Sequence, residues 1–201
     1  MILGIAGKAR CGKDTVASFI EKDYGFYPIA FADNVKTVCK MIFGATDEQL
    51  YGEEKEKIDK RYGISPRQMM QGVGQAIRNF YPDAWINAFL LRIKGWEDEY
   101  VCVTDIRFVN EFNAIKAHGG KIIKVTRNIE GTKSVDISEK DLDNIPDDKF
   151  DAIINNSGTL EDLRMDVRIA MNELGIEALD EMHRAHWIAT INMRSGDYRT
   201  I

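Results

Sequence analysis

An α/β fold built on a mostly parallel five-stranded sheet is what this 201-residue chain predicts, and three observations carry the prediction. Five short apolar runs of strand length alternate with segments of helical spacing. A glycine-rich turn, Gly7-Lys8-Ala9-Arg10-Cys11-Gly12-Lys13, joins the first run to the first helix. Strands that are apolar throughout, rather than alternating, must be covered by helices on both faces. The length suits one domain, 1–201, with its core over about 1–175 and a helical C-terminal extension over 176–201.

In chain order, Ile2–Ala6 is a buried strand, and Val16, Ala17, Phe19 and Ile20 mark a helix over Lys13–Lys22. Tyr27–Ala32 reads as a second strand, and Val35, Val38, Ile42 and Phe43 give a helix over Asn34–Phe43. The densely charged Asp47–Arg61 is expected to be a solvated helix and loop, an insertion outside the core. Ser65-Pro66 is a helix-start signal for a helix to about Asn79, and Pro82 opens another through Ile93. Tyr100–Thr104 is a strand, Val109–Ala117 a helix stopped by Gly119-Gly120, and Ile122–Thr126 and Ala152–Asn155 are the last strands. Leu160 to about Leu174 is helical, and the polar segment Asn128–Lys149 is expected to be a mobile flap.

A net charge of −5 argues against gripping a nucleic-acid backbone, which wants a basic face. Cys11, Cys39 and Cys102 are scattered and lack CxxC spacing, so neither a disulfide frame nor a zinc site is expected. With no membrane-length apolar run and no secretory signal, a reduced cytoplasm is the expected setting, with no membrane partner.

Gly7, four residues, then Gly12-Lys13, between a strand and a helix, is the context of a phosphate-binding loop. Glycines let backbone N–H groups turn toward phosphate, the helix N-terminus adds positive potential, and Lys13 reaches the terminal phosphates. Asp14 stands where a Ser or Thr is usual. A carboxylate there can hold Mg²⁺ directly or through its water, or it can simply favour the helix dipole. Thr15 keeps a hydroxyl in the first turn. The chain has no NKxD, and "DIRF" replaces a GTPase's DxxG.

A second set of anion-handling residues follows. "FADNVK" puts Asp33 and Lys36 at a helix start, and Arg67, Gln71, Gln75 and Arg78 recur at spacings of four, four and three along one helix face. Trp85 is a candidate base platform and equally a core residue; Lys36, Gln71 and Arg78 can also be read as solvated polar groups. Asp105 and Arg107 stand at the carboxyl end of a strand, the rim where open α/β sheets bind ligands.

"GKARCGKDT", "FADNVK", the helix leading to "PDAW", "TDIRFVNE" with "GGKIIKVTR", and "NNSGTLEDL" together resemble the bacteriophage deoxynucleoside monophosphate kinases, over about Ile2 to Leu174. The resemblance implies a three-layer P-loop NTPase fold with an acceptor-binding insertion and a short lid. It implies the reaction ATP + dNMP → ADP + dNDP, with Mg²⁺ as cofactor. It implies that Gly7, Ala9, Arg10, Cys11, Gly12, Lys13, Asp14 and Thr15 bind ATP, with Arg127, Asn156, Gly158 and Thr159 flanking adenine or its phosphates. Asp33, Lys36, Arg67, Gln71, Gln75, Arg78, Trp85, Arg107 and Glu111 would face the dNMP. Lys13, Asp14, Asp105 and Arg107 would be catalytic, with Asp14 and Asp105 toward the metal.

The family's HxSE-like lid element is incomplete in "VDISE", where Ser138 and Glu139 remain without the histidine. Two other readings stay open at this point: a phosphomevalonate kinase-like small-molecule kinase, and a non-catalytic nucleotide-binding protein. Self-association as a homodimer is also left open. His183 and His186, one turn apart, are expected to be solvent-exposed without a carboxylate partner.

Overall fold

The N-terminal apolar run becomes β1 (Ile2–Ala6), the middle strand of a sheet completed by β2 (Tyr27–Ile29), β3 (Val101–Ile106), β4 (Lys121–Thr126) and β5 (Ala152–Asn155). The spatial order is β2-β3-β1-β4-β5 and every pairing is parallel. β1 thus lies between β3 and β4, the point at which the chain switches from one side of the sheet to the other. Such a switch opens a ligand crevice beyond the carboxyl ends of the strands. The computed structural model describes residues 1–96, 99–127 and 141–194. They fall into two compact units, Met1–Ala30 with Trp96–Ile201, and Phe31–Gly95.

In the first unit, α1 (Lys13–Tyr24) and α7 (Leu160–Glu173) cover one face of the sheet. Val16, Ala17 and Ile20 of α1 and Leu163, Val167, Ala170 and Met171 of α7 join Leu3, Ile5, Ile123, Val125 and Ile154 in one core. α6 (Val109–Ala117) packs on β4 and β1 with Phe112 and Ile115 buried. On the strands, Gly4 lies against Ile106 and Ile122, where a Cβ would strike the tip of Ile106. The sheet is therefore covered on both faces, as its uninterrupted apolar strands require. α8 (Glu181–Arg194) follows as the C-terminal helix. Among the described residues no helix is long and apolar enough to cross a membrane.

The second unit contains α2 (Phe31–Phe43), α3 (Asp47–Tyr51), α4 (Pro66–Phe80) and α5 (Ala84–Arg92). Ser65 caps α4 by a reciprocal box: Gln68 N–H donates to Ser65 Oγ at 3.3 Å, and Ser65 N–H donates to Gln68 Oε1 at 2.8 Å.

Three expectations are corrected. The second strand ends at Ile29, because Phe31 shares a helical face with Val35 and Cys39 and the three are buried together. The charged Asp47–Arg61 segment is not wholly solvated: Leu50 is fully buried in the core of this unit, and Asp59 is buried in a clasp with Arg61 and Gln49. His183 does have a carboxylate partner, since Asp180 Oδ2 lies 2.8 Å from its Nδ1, although both are exposed. The expected flap falls partly on residues 128–140, outside the described residues, and Ser138 and Glu139 with it.

Phe31 is 3% exposed, with its ring centroid 5.0 Å from that of Phe89. Phe31→Ala should lower the unfolding free energy in urea by about 3 kcal/mol, the usual cost of emptying a buried aromatic site. An unchanged midpoint would remove Phe31 from the helix face.

Candidate active site

The phosphate loop leaves β1 through a space that admits no side chain. A Cβ on Gly7 would meet the Val125 carbonyl oxygen and lie 2.7 Å from Cys11 Sγ. Arg10 then adopts a left-handed φ of 63°, unusual for a residue with a side chain, and Gly12 has φ 102° as the N-cap of α1. Alternating backbone handedness of this kind curls successive N–H groups into a concave anion cradle. Lys13 is 7% exposed, and its Nζ donates to the carbonyls of Gly7 at 2.8 Å and Lys8 at 2.7 Å. Ala9 and Arg10 are exposed at the loop tip, while Cys11 is buried beneath it with its Sγ 3.9 Å from Lys13 Nζ. Burial pushes the Cys11 thiol up from its usual value, so it stays protonated. Asp14 is exposed in the first turn of α1 and Thr15 is half-buried beside it.

Next to this loop, β3 carries a bulge. Gly4 pairs with Val103, yet Ala6 pairs with Ile106, so the register shifts by one residue across Thr104-Asp105. An extra residue of this kind bends a strand and re-aims its side chains. Asp105 accordingly lies within β3, not beyond it, at the irregularity beside the end of β1. Arg107 begins the turn into α6, which two carboxylates hold. Glu111, 2% exposed, accepts from the N–H of Arg107 at 2.9 Å and of Phe108 at 3.2 Å, and Asp141 accepts from the N–H of Val109 at 2.7 Å.

The fold brings Lys13, Asp14, Asp105 and Arg107 into one electrostatic neighbourhood. Burial pushes the Lys13 ammonium below its ordinary value and the Arg107 charge presses the same way, while the Asp14 and Asp105 carboxylates oppose them. Among the described residues no cluster of three or more His, Cys, Asp or Glu could cage a metal. One or two carboxylates completed by substrate phosphate is how Mg²⁺ is usually held, and Asp14 and Asp105 fit that donor set.

The loop after β5 is tied to the same site. Asn156 is buried, and its Nδ2 donates to the Cys11 carbonyl at 2.9 Å. Thr159 caps α7: its Oγ1 accepts from Asp162 N–H at 3.2 Å and donates to the Asp162 carboxylate at 2.7 Å. Gly158 sits against that carboxylate, and Arg127 is exposed just past β4.

In the second unit, Asp33 is shared by Lys36 and Arg92, each at 3.3 Å. Lys36 Nζ also lies 4.0 Å from the centroid of the Tyr51 ring, a cation–π contact. On α4, Arg67 pairs with Glu56, Gln71 is exposed, Gln75 donates to Asn79 at 2.6 Å, and Arg78 is half-buried. The opposite side of α4 packs Met69, Met70, Val73 and Ile77 into the unit's core.

Residues 49–167 match the family model described as deoxynucleotide monophosphate kinase. The chain belongs to the deoxynucleotide monophosphate kinase family. A protein of Acanthamoeba polyphaga mimivirus, carried under that name provisionally, is 34% identical over 178 residues, spanning 81% of this chain and 91% of its own length. The deoxynucleotide monophosphate kinase of Escherichia phage RB69 is 35% identical over 106 residues, 49% of this chain and 41% of the phage protein. Among solved structures, a dephospho-CoA kinase from Campylobacter jejuni is similar with a TM-score of 0.51 at 17% identity, over 86% of this chain and 96% of its own. That likeness extends to the fold alone.

Two side chains take structural places that their sequence context did not signal. The family resemblance groups Glu111 with the acceptor site, but its carboxylate accepts from the turn carrying Arg107. Arg92 entered no motif and only the fold brings it to Asp33. Trp85 is 4% exposed in the core of its unit, with Nε1 donating to the Gly74 carbonyl at 3.1 Å. Of its two readings, burial favours packing over base stacking. Trp85→Phe should therefore destabilise the chain by about 1–2 kcal/mol, through lost volume and one lost hydrogen bond. The KM for nucleotide substrates should stay within about twofold, which is under 0.5 kcal/mol; a large rise in KM with unchanged stability would restore the base platform.

Proposed function

We propose that this member of the deoxynucleotide monophosphate kinase family transfers the γ-phosphoryl group of ATP to a deoxynucleoside monophosphate. The observation that supports the reading is the phosphate loop at the end of β1, with Lys13 buried on the carbonyls of Gly7 and Lys8 and the β3 irregularity at Asp105 beside the end of β1. Family membership selects this reading over a phosphomevalonate-type kinase or a non-catalytic nucleotide binder. The mimivirus and phage relatives support the cytoplasm of an infected host as its setting.

In this reading the loop N–H groups and Lys13 hold the phosphates of ATP. An oxygen of the acceptor phosphate bonds to the γ-phosphorus as the bond from that phosphorus to the β–γ bridging oxygen breaks, releasing ADP. The acceptor phosphate is already an anionic nucleophile, so the protein's work is alignment and charge neutralisation rather than proton removal. Asp14 and Asp105 would hold Mg²⁺, which when bound neutralises charge on the transferring phosphoryl oxygens. Arg107 presents a planar fork that can take two oxygens of the acceptor phosphate at once. Its backbone is clamped by Glu111, which pre-sets where the fork begins. Asp33, Lys36, Arg67, Gln71, Gln75 and Arg78 would bind the deoxynucleotide, the four α4 residues recurring at helical spacing.

The direct test is ADP production from ATP and Mg²⁺ with each dNMP and NMP in turn. The chain should turn over with at least one dNMP, and Lys13→Ala should abolish turnover while keeping the native circular dichroism spectrum. Turnover in Lys13→Ala equal to the wild type would sink the donor-site assignment.

Arg107→Lys keeps the charge but loses the fork. Loss of one charge-assisted hydrogen bond costs about 1.5–3 kcal/mol, or roughly 10- to 150-fold. The kcat/KM for the dNMP should fall by about that factor while ATP affinity changes little. A collapse of ATP affinity with intact dNMP dependence would move Arg107 to the donor side.

A further inference from the structure

Asn156 is a polar side chain buried beneath the phosphate loop, 145 residues away in sequence from the loop residue it touches. Its backbone N–H donates to the Thr126 carbonyl at 2.8 Å, continuing the β4–β5 ladder one residue past its end. Its position is thus fixed by the sheet. From there Nδ2 reaches the Cys11 carbonyl at 2.9 Å. The approach is possible because the next residue is Gly12, where a Cβ would strike that same amide nitrogen.

In a planar trans peptide the C=O and the following N–H point in opposite directions. A donor that holds the Cys11 carbonyl on the side of Asn156 therefore directs the Gly12 N–H the other way, out of the sheet side of the loop. We infer that Asn156 is a positioning residue that aims the Gly12 N–H at phosphate by anchoring the Cys11 carbonyl, rather than a contact to the adenine base. The inference rests on the reading of Gly7–Thr15 as the ATP phosphate site. It assigns Asn156 a task that its place after β5 does not by itself suggest. The Cys11 carbonyl cannot turn to water at this depth, so losing the amide also leaves it unsatisfied.

The two roles separate with a probe that has no base. Binding of ATP and of inorganic tripolyphosphate is measured by titration calorimetry for the wild type, Asn156→Ala and Asn156→Asp. For Asn156→Ala we expect both ligands to weaken by the same factor, on the order of 10- to 100-fold. Loss confined to ATP, or no loss of either, overturns the inference.

Asn156→Asp keeps the shape but offers a donor only when protonated. Burial and the facing carbonyl raise the introduced carboxyl, whereas the nearby Lys13 ammonium lowers it; the Cys11 thiol stays neutral. Its ATP affinity relative to wild type should recover as pH falls from about 8.5 to about 5.5. A ratio flat with pH, in a variant that melts like the wild type, overturns the inference. If Asn156→Asp fails to fold, the Asn156→Ala comparison decides alone. Wild-type protein that binds neither ligand would remove the donor-site reading itself, a result distinct from a normal wild type with unaffected variants.

Discussion

A lysine ammonium enclosed by its own loop is the constraint on which the site depends. Lys13 is almost completely buried, and an isolated buried charge is untenable without polar partners. Its Nζ is satisfied by the carbonyls of Gly7 and Lys8, which requires those two peptides to face inward at the start of the loop. The chain can make that turn only if Gly7 has no side chain, because the Val125 carbonyl and Cys11 Sγ already occupy the space. The Cys11 N–H donates back to the Lys8 carbonyl at 3.4 Å and closes the turn. The loop is thus organised around its cation, and it sits on the central strand, where β3 and β4 support it from both sides.

The neighbouring strand shows the same economy in carboxylates. Glu111 takes two backbone N–H groups with one oxygen and Asp141 takes a third, so three donors of the turn from β3 to α6 are satisfied by two acids. Charge-assisted bonds to backbone are among the stronger protein hydrogen bonds, so the turn has little freedom. Arg107 therefore starts from a rigid base, while its long side chain keeps rotamers with which to meet a phosphate. Asp105, two residues earlier, lies at the register shift between β1 and β3, where strand alternation is interrupted.

Features written in local chemistry were legible from the sequence. The phosphate loop, the Ser65 cap with Pro66, the presence though not every boundary of the five strands, and the amphipathic α4 depend on neighbours a few residues away. What was not legible depends on partners far along the chain. The β3 bulge exists only relative to β1, and the Asn156 amide acquires meaning only under Cys11. Phe31 continues an apolar run and so reads as strand, whereas packing with Phe89 selects the helical period instead. Leu50 is hidden by the charges around it; one apolar residue in an acidic segment is a weak signal until a core is seen to accept it.

The two sets of candidate residues also differ in how firmly each is built, and the difference bears on catalysis. On the donor side, Lys13 and Asn156 are buried and held by hydrogen bonds to backbone, so phosphate would meet a loop already in place. Preorganised donors of this kind need little rearrangement during reaction. On the acceptor side, Arg67, Gln71 and Gln75 lie exposed on α4, and Asp33 is shared between two cations in a partly open setting. Exposed side chains lose rotamer freedom when a ligand orders them, so part of the acceptor's binding energy is consumed in completing that set. An enzyme that faces water while holding ATP gains from this inequality. A donor loop that is already built, together with acceptor residues that would exchange their present partners for the nucleotide, would tie phosphoryl transfer to the presence of that substrate and leave water a poor competitor.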